Sequence, residues 1–124
     1  MKRISLVTAA VLAIGLSGAP AVSSTQPAEY STALTEAYGS AAPYTGTLRL
    51  TISSTGIVQG YYFSSDGSLT YVPVTGGKRG ESIWLDIGNA VIYHVDGRLH
   101  GGTIVGTAFA RDNAQYTFVA DPQR

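Results

Sequence analysis

The sequence predicts an all-β domain: an antiparallel up-and-down meander of about seven to eight strands, closed into a barrel or a half-barrel. Three observations carry this. Between Tyr44 and Ala120, short segments alternate apolar and polar residues, as strands with one face on a core do. Turn residues cut the alternation at near-regular intervals: Thr55-Gly56, Asp66-Gly67, Gly76 to Gly80, Gly88-Asn89, Asp96-Gly97 and Asp112-Asn113. Every link is hairpin-length, which leaves no long connection for a Greek-key crossing and ranks a barrel above a two-sheet sandwich.

The chain divides into a signal peptide (1–21), a linker or short helix (22–43), the barrel domain (44–120) and a tail (121–124). Met1-Lys2-Arg3 is a basic start, Ile4 to Leu16 an apolar run, and Ala19-Pro20-Ala21 a small-residue exit. That order is the pattern of a secretory signal, with cutting after Ala21 or after Ser24. The apolar run is shorter than the about 20 residues of a membrane-spanning helix, so no span is expected once the signal is removed. The expected destination is export, to a periplasm or the extracellular space.

After the signal, Tyr30, Leu34 and Tyr38 recur at every fourth position, and Gly39 follows. This spacing fits a short helix over 28–38, lying across one end of the sheet; an extended lead-in fits as well. The strands then follow in order. Thr45 to Ser53 sets Leu48, Leu50 and Ile52 on one face and Thr47, Arg49 and Thr51 on the other. Ile57 to Ser64 is apolar or aromatic on both faces, the pattern of a central strand or one whose outer face meets a partner. Ser68 to Thr75 contains Pro73, which removes a ladder donor and suggests an edge or a bulge. Gly76 to Gly80 reads as the longest loop. Glu81 to Ile87 places Ile83, Leu85 and Ile87 inward and Trp84 outward. Ala90 to Val95, Arg98 to Ala110 and Ala114 to Ala120 complete the meander, with Gly101, Gly102 and Gly106 bending the long penultimate strand.

With 44% hydrophobic and 13% charged residues over 124 positions, the chain is a single globular domain. Its formal charge is zero, so it lacks the basic footprint of a nucleic-acid binder. Without Lys2 and Arg3, six basic residues face eight acidic ones. The absence of cysteine excludes disulfides, thiolate metal sites and a cysteine nucleophile.

No arrangement points to catalysis. His94 and His100, the only histidines, flank Asp96-Gly97. A two-residue turn there sets them on opposite faces and a three-residue loop on the same face; a catalytic zinc would still need a third ligand, with Asp86 or Asp96 nearest in sequence. Gly77-Lys78 fails the phosphate-loop pattern, because Arg79 stands where Ser or Thr is required. Glu81 and Asp86 point to opposite faces of a regular strand, unlike a glycosidase pair. The expectation is no catalytic residue, no metal and no cofactor.

The run 45–64 resembles the first hairpin of avidin-like barrels, with alternating apolar residues, a Gly-ended turn, and then Gly60, Tyr62 and Ser64 as G-x-Y-x-S. The segment 73–77 is similar to the end of the next strand in that family; lipocalin-like barrels share the spacing. The resemblance implies a meander barrel and carries Tyr62 and Ser64 over as pocket residues. The family's biotin-site residues are mostly not matched: the several pocket tryptophans reduce here to Trp84, and the late aspartate has no counterpart.

The function expected is an exported, non-enzymatic binding module. Its ligand is a small molecule in the barrel mouth or a protein on a tyrosine-rich face, with Tyr61, Tyr62, Ser64, Tyr71 and Trp84 as candidate ligand-binding residues. A homo-oligomer fits the two-faced strand at 57–64. The alternatives are a self-associating envelope assembly protein and a secreted hydrolase inhibitor whose inserting element is Gly76 to Gly80 or the segment 22–43.

Overall fold

The computed structural model describes residues 27–123. The expected signal peptide and its cleavage site lie outside the described residues. Eight strands run in chain order: β1 (Ala28–Glu36), β2 (Tyr44–Ile52), β3 (Ile57–Ser64), β4 (Val72–Arg79), β5 (Ser82–Ile87), β6 (Tyr93–His100), β7 (Thr103–Ala110) and β8 (Gln115–Pro122). Each pairs antiparallel with its neighbours in sequence, and β1 pairs with β8, so the meander closes into a barrel. Closure removes every sheet edge.

The core is the inward half of this alternation. Leu48 and Leu50 on β2, Val58 and Tyr62 on β3, Ile83, Leu85 and Ile87 on β5, Val95, Ile104 and Phe118 are all buried. Trp84 faces outward and lies over Gly77, where any side chain would run into its ring.

The segment 28–38 is not helical. Residues 28–36 form β1 and belong to the barrel, which therefore begins well before Tyr44 and ends at Pro122. A spacing of four is even, so it keeps Tyr30 and Leu34 on one face of a strand as well as on one stripe of a helix. Thr32 between them is also buried, which is the strand signature. Tyr38 lies beyond the strand and is exposed.

Four turns also fall elsewhere than expected. Gly76 to Gly80 is not a loop: β4 continues to Arg79 and turns at Gly80 and Glu81, so no inserting element projects there. Asp96-Gly97 is not a turn. It lies within β6, and the chain reverses at Gly101 and Gly102, both left-handed with φ of 60° and 86°. Two consecutive left-handed residues make the hairpin turn that matches strand twist. The link after β5 extends through Ile92, and the link after β3 occupies 65–71. Pro73 does not mark an edge. It precedes the first β4–β5 pair, Val74 with Ile87, so its missing N–H falls before that ladder begins.

Candidate functional site

Connectivity places alternate links at opposite ends of the barrel. One end carries 37–43, 65–71, 88–92 and 111–114, which include the three longest links; the other carries 53–56, 80–81 and 101–102. At the long-link end the packed interior gives way to a cleft of about 340 Å³.

The inward positions of the strand ends form its wall. Tyr44, Tyr93 and Tyr116 make an edge-to-face chain, with Tyr116 6.0 Å from Tyr44 and 5.9 Å from Tyr93 between ring centroids. Tyr44 and Tyr93 line the cleft with Leu34, Pro43 and Leu69. Burial, together with the neighbouring Tyr116, raises the Tyr93 pKa, so the phenol is neutral at physiological pH.

Tyr62 reaches down into the barrel and is almost fully buried. Its ring is accommodated by Gly46, where a methyl group would meet the Tyr62 hydroxyl at 2.7 Å. Burial pushes its pKa up, with Thr32 acting in the opposite sense. Thr32 pairs across the ladder with Gly46, which in turn pairs with Ser64. It is 3% exposed, and its Oγ1 has no hydrogen-bond partner. The Tyr62 hydroxyl is near enough to act on it without meeting hydrogen-bond geometry. A buried hydroxyl in this state is costly.

The link 65–71 carries the cleft's charge. Asp66 Oδ1 accepts from Ser64 Oγ at 2.7 Å, Ser68 N at 2.9 Å and Ser68 Oγ at 2.7 Å. These bonds hold the Asp66 pKa down at about 2, the Ser68 amide contributing most. Ser64 Oγ also accepts from Leu69 N at 2.9 Å, and its shortest bond as a donor is the one to Asp66. Asp66 Oδ2 has no hydrogen-bond partner among the described residues.

Of the five expected ligand-binding residues, Tyr62 and Ser64 line the cleft. Tyr61 and Tyr71 stand on the outside of the wall, where Tyr71 packs edge-on against Tyr61 at 5.8 Å and Phe63 at 4.9 Å. Trp84 joins neither group, since its row across the sheet contains Gly77 and Ile57. Tyr44, Asp66 and Tyr93 also line the cleft and were missed by the sequence reading, as was Thr32, buried behind Tyr62. Tyr44 was open to discovery, because it shares the parity of Leu48 and Leu50 on β2.

The histidines sit on one strand and one outward face, six residues apart on β6, roughly 20 Å along an extended chain. They share no metal site. His94 Nδ1 lies 2.6 Å from Asp86 Oδ1 and its Nε2 3.1 Å from Asp96 Oδ1. His100 Nδ1 lies 2.7 Å from Glu81 Oε2, and Arg98 pairs with the other oxygen of Glu81.

Comparison with protein-family models finds no match, and comparison with curated proteins finds none.

Proposed function

We propose that the protein is an exported, non-enzymatic binding module that takes a small molecule in the long-link mouth of its barrel. The observation that carries this is the cleft itself, lined by Tyr44, Ser64, Asp66 and Tyr93 and floored by Tyr62, with the buried Thr32 hydroxyl beside the Tyr62 phenol and without a partner in hydrogen-bond geometry among the described residues. Folding alone favours an apolar group at such a position. A ligand group hydrogen-bonded there offsets the cost, and eight-stranded barrels are of the size that holds one small ligand. The resemblance to avidin-like barrels supports the same end of the molecule, because both residues it transfers, Tyr62 and Ser64, line the cleft.

Native mass spectrometry of the mature protein, purified gently from its export compartment, tests this. The expected result is a monomer or oligomer carrying a small bound mass, lost in a Thr32→Val variant that retains the volume but not the hydroxyl. A bound mass unaffected by Thr32→Val and by Tyr62→Phe places the ligand elsewhere and overturns the assignment. A second reading, self-association through the outer wall, is favoured by the exposed Tyr61 and Tyr71 and the half-buried Phe63 packed with them. A bare dimer or tetramer in the same spectrum, dissociated by Tyr71→Ala, is its expected signature.

A further inference from the structure

Among the residues lining the mouth cleft, the only formally charged side chain is Asp66. Its carboxylate is ionised throughout the physiological range, and its hydrogen bonds all fall on one oxygen. Fixing Oδ1 to the turn orients the group and leaves Oδ2 open to solvent, with no intramolecular partner among the described residues. The neighbouring cation, Arg111, lies along the rim beyond Tyr93, next to Asp112, and donates from Nη2 to Ala90 O at 2.6 Å. It does not line this cleft. The remainder of the wall is phenol rings, aliphatic side chains and hydroxyls. Neutral phenols present an electron-rich ring face, which attracts a cation and offers nothing to an anion.

We propose that the mouth selects an organic cation, an ammonium group on a small apolar body, with Asp66 as its counter-charge and the rim tyrosines around it. This rests on the mouth being the binding site. The ammonium donates to Asp66 Oδ2 while the apolar body lies against Leu34, Leu69 and the rings of Tyr44 and Tyr93. A carboxylate or phosphate entering the same space meets the charge of Asp66 with no lysine or arginine among the lining residues to offset it.

The test uses three probes with the same ring and charges of opposite sign or none: benzylamine, benzyl alcohol and benzoate. Each is titrated into the mature protein at low ionic strength, with binding followed by ligand-observed NMR. Benzylammonium is expected to bind roughly three- to tenfold more tightly than the alcohol, the range for an exposed ion pair together with a ring contact, and benzoate to bind most weakly. Added salt reduces the preference. Asp66→Asn keeps an oxygen acceptor for Ser64 and Ser68, so the turn is retained. In that variant the preference for the cation over the alcohol falls to near unity. Alcohol or benzoate binding as tightly as benzylammonium, or a preference that survives Asp66→Asn, overturns the cation assignment and leaves the mouth intact as a site. Failure of all three probes to bind the wild type overturns the mouth reading itself.

Discussion

His94 and Asp86 sit directly opposite each other on β6 and β5, and the imidazole Nδ1 lies 2.6 Å from the carboxylate. Asp96, two residues along, faces the other ring nitrogen. A neutral imidazole has one N–H and donates to one of these carboxylates; the imidazolium donates to both.

This arrangement makes stability depend on pH. The bond to Asp86 raises the His94 pKa above its ordinary 6.5, with Asp96 adding to the rise and partial burial opposing it. A raised folded-state pKa means the contribution is fully present below the unfolded value and is lost as pH rises through the folded one. Glu81 and Asp66, whose carboxyls are held low, lose their contributions only in acid. Thermal melts between about pH 6 and about pH 9 are expected to show wild type losing a few degrees relative to His94→Gln, as suits a half-exposed pair worth less than about 1 kcal/mol. Parallel pH profiles for the two proteins would remove the clamp from consideration.

Thr32→Val is expected to stabilise the free protein. The change preserves shape and removes a buried hydroxyl that has no partner, which is worth about 1–2 kcal/mol. Urea unfolding checks this through a higher midpoint at unchanged slope. With the loss of bound ligand expected above, one substitution then separates stability from binding. A lower midpoint would mean that the hydroxyl has a partner in solution.

Gly97 and Gly106 face each other across β6 and β7. A methyl at Gly97 would come within 2.7 Å of Val105 O, and one at Gly106 would meet the carbonyl of Asp96. Either strand must move to admit it, so Gly97→Ala and Gly106→Ala are each expected to cost about 1–3 kcal/mol or more. The double substitution should cost far from the sum, because the first displacement makes room for the second. Chemical unfolding of the two single variants and the double variant measures the coupling.

Tyr71 holds a left-handed backbone, φ 50°, while its ring packs on Tyr61 and Phe63. The left-handed conformation costs a side-chain-bearing residue about 1–2 kcal/mol. Tyr71→Gly and Tyr71→Ala lose the same ring contacts, but only glycine relieves the backbone. The glycine variant should therefore be the more stable by about 1 kcal/mol, measured by denaturant unfolding. The reverse order would show that the backbone at this position is not strained.

The alternation of strands was plain in the sequence, and Ile57 to Ser64 was bounded there as it stands in the barrel. What misled was ambiguity of period and competition between turns. Tyr30 and Leu34 satisfy both a helix and a strand, and only pairing with β2 and β8 selects the strand. Asp96-Gly97 is a good hairpin dipeptide on local grounds, but it competes with Gly101-Gly102 a few residues later. The register of Val95 against Leu85 and Ala108, all buried, decides for the second. Of the cleft, Tyr62 and Ser64 were read from the sequence, and Tyr44 could have been from its parity on β2. Thr32 and Tyr93 become inward residues only after β1 and β6 are correctly drawn.

β1 and β8 lie side by side, Tyr30 against Pro122, with the amide of Gln123 bonded to Glu29 O at 2.8 Å. Every other seam in the wall joins strands adjacent in the chain. The described strands thus form a ring with a single cut, between β1 and β8, and the free ends of those two strands lie away from the mouth. A short peptide joining the two strand ends, with a new opening in 37–43 or 88–92, would keep the wall and move the chain's ends to the rim. It would not remove the slow step of joining distant segments; it would reassign that step to whichever pair of strands the new opening separates.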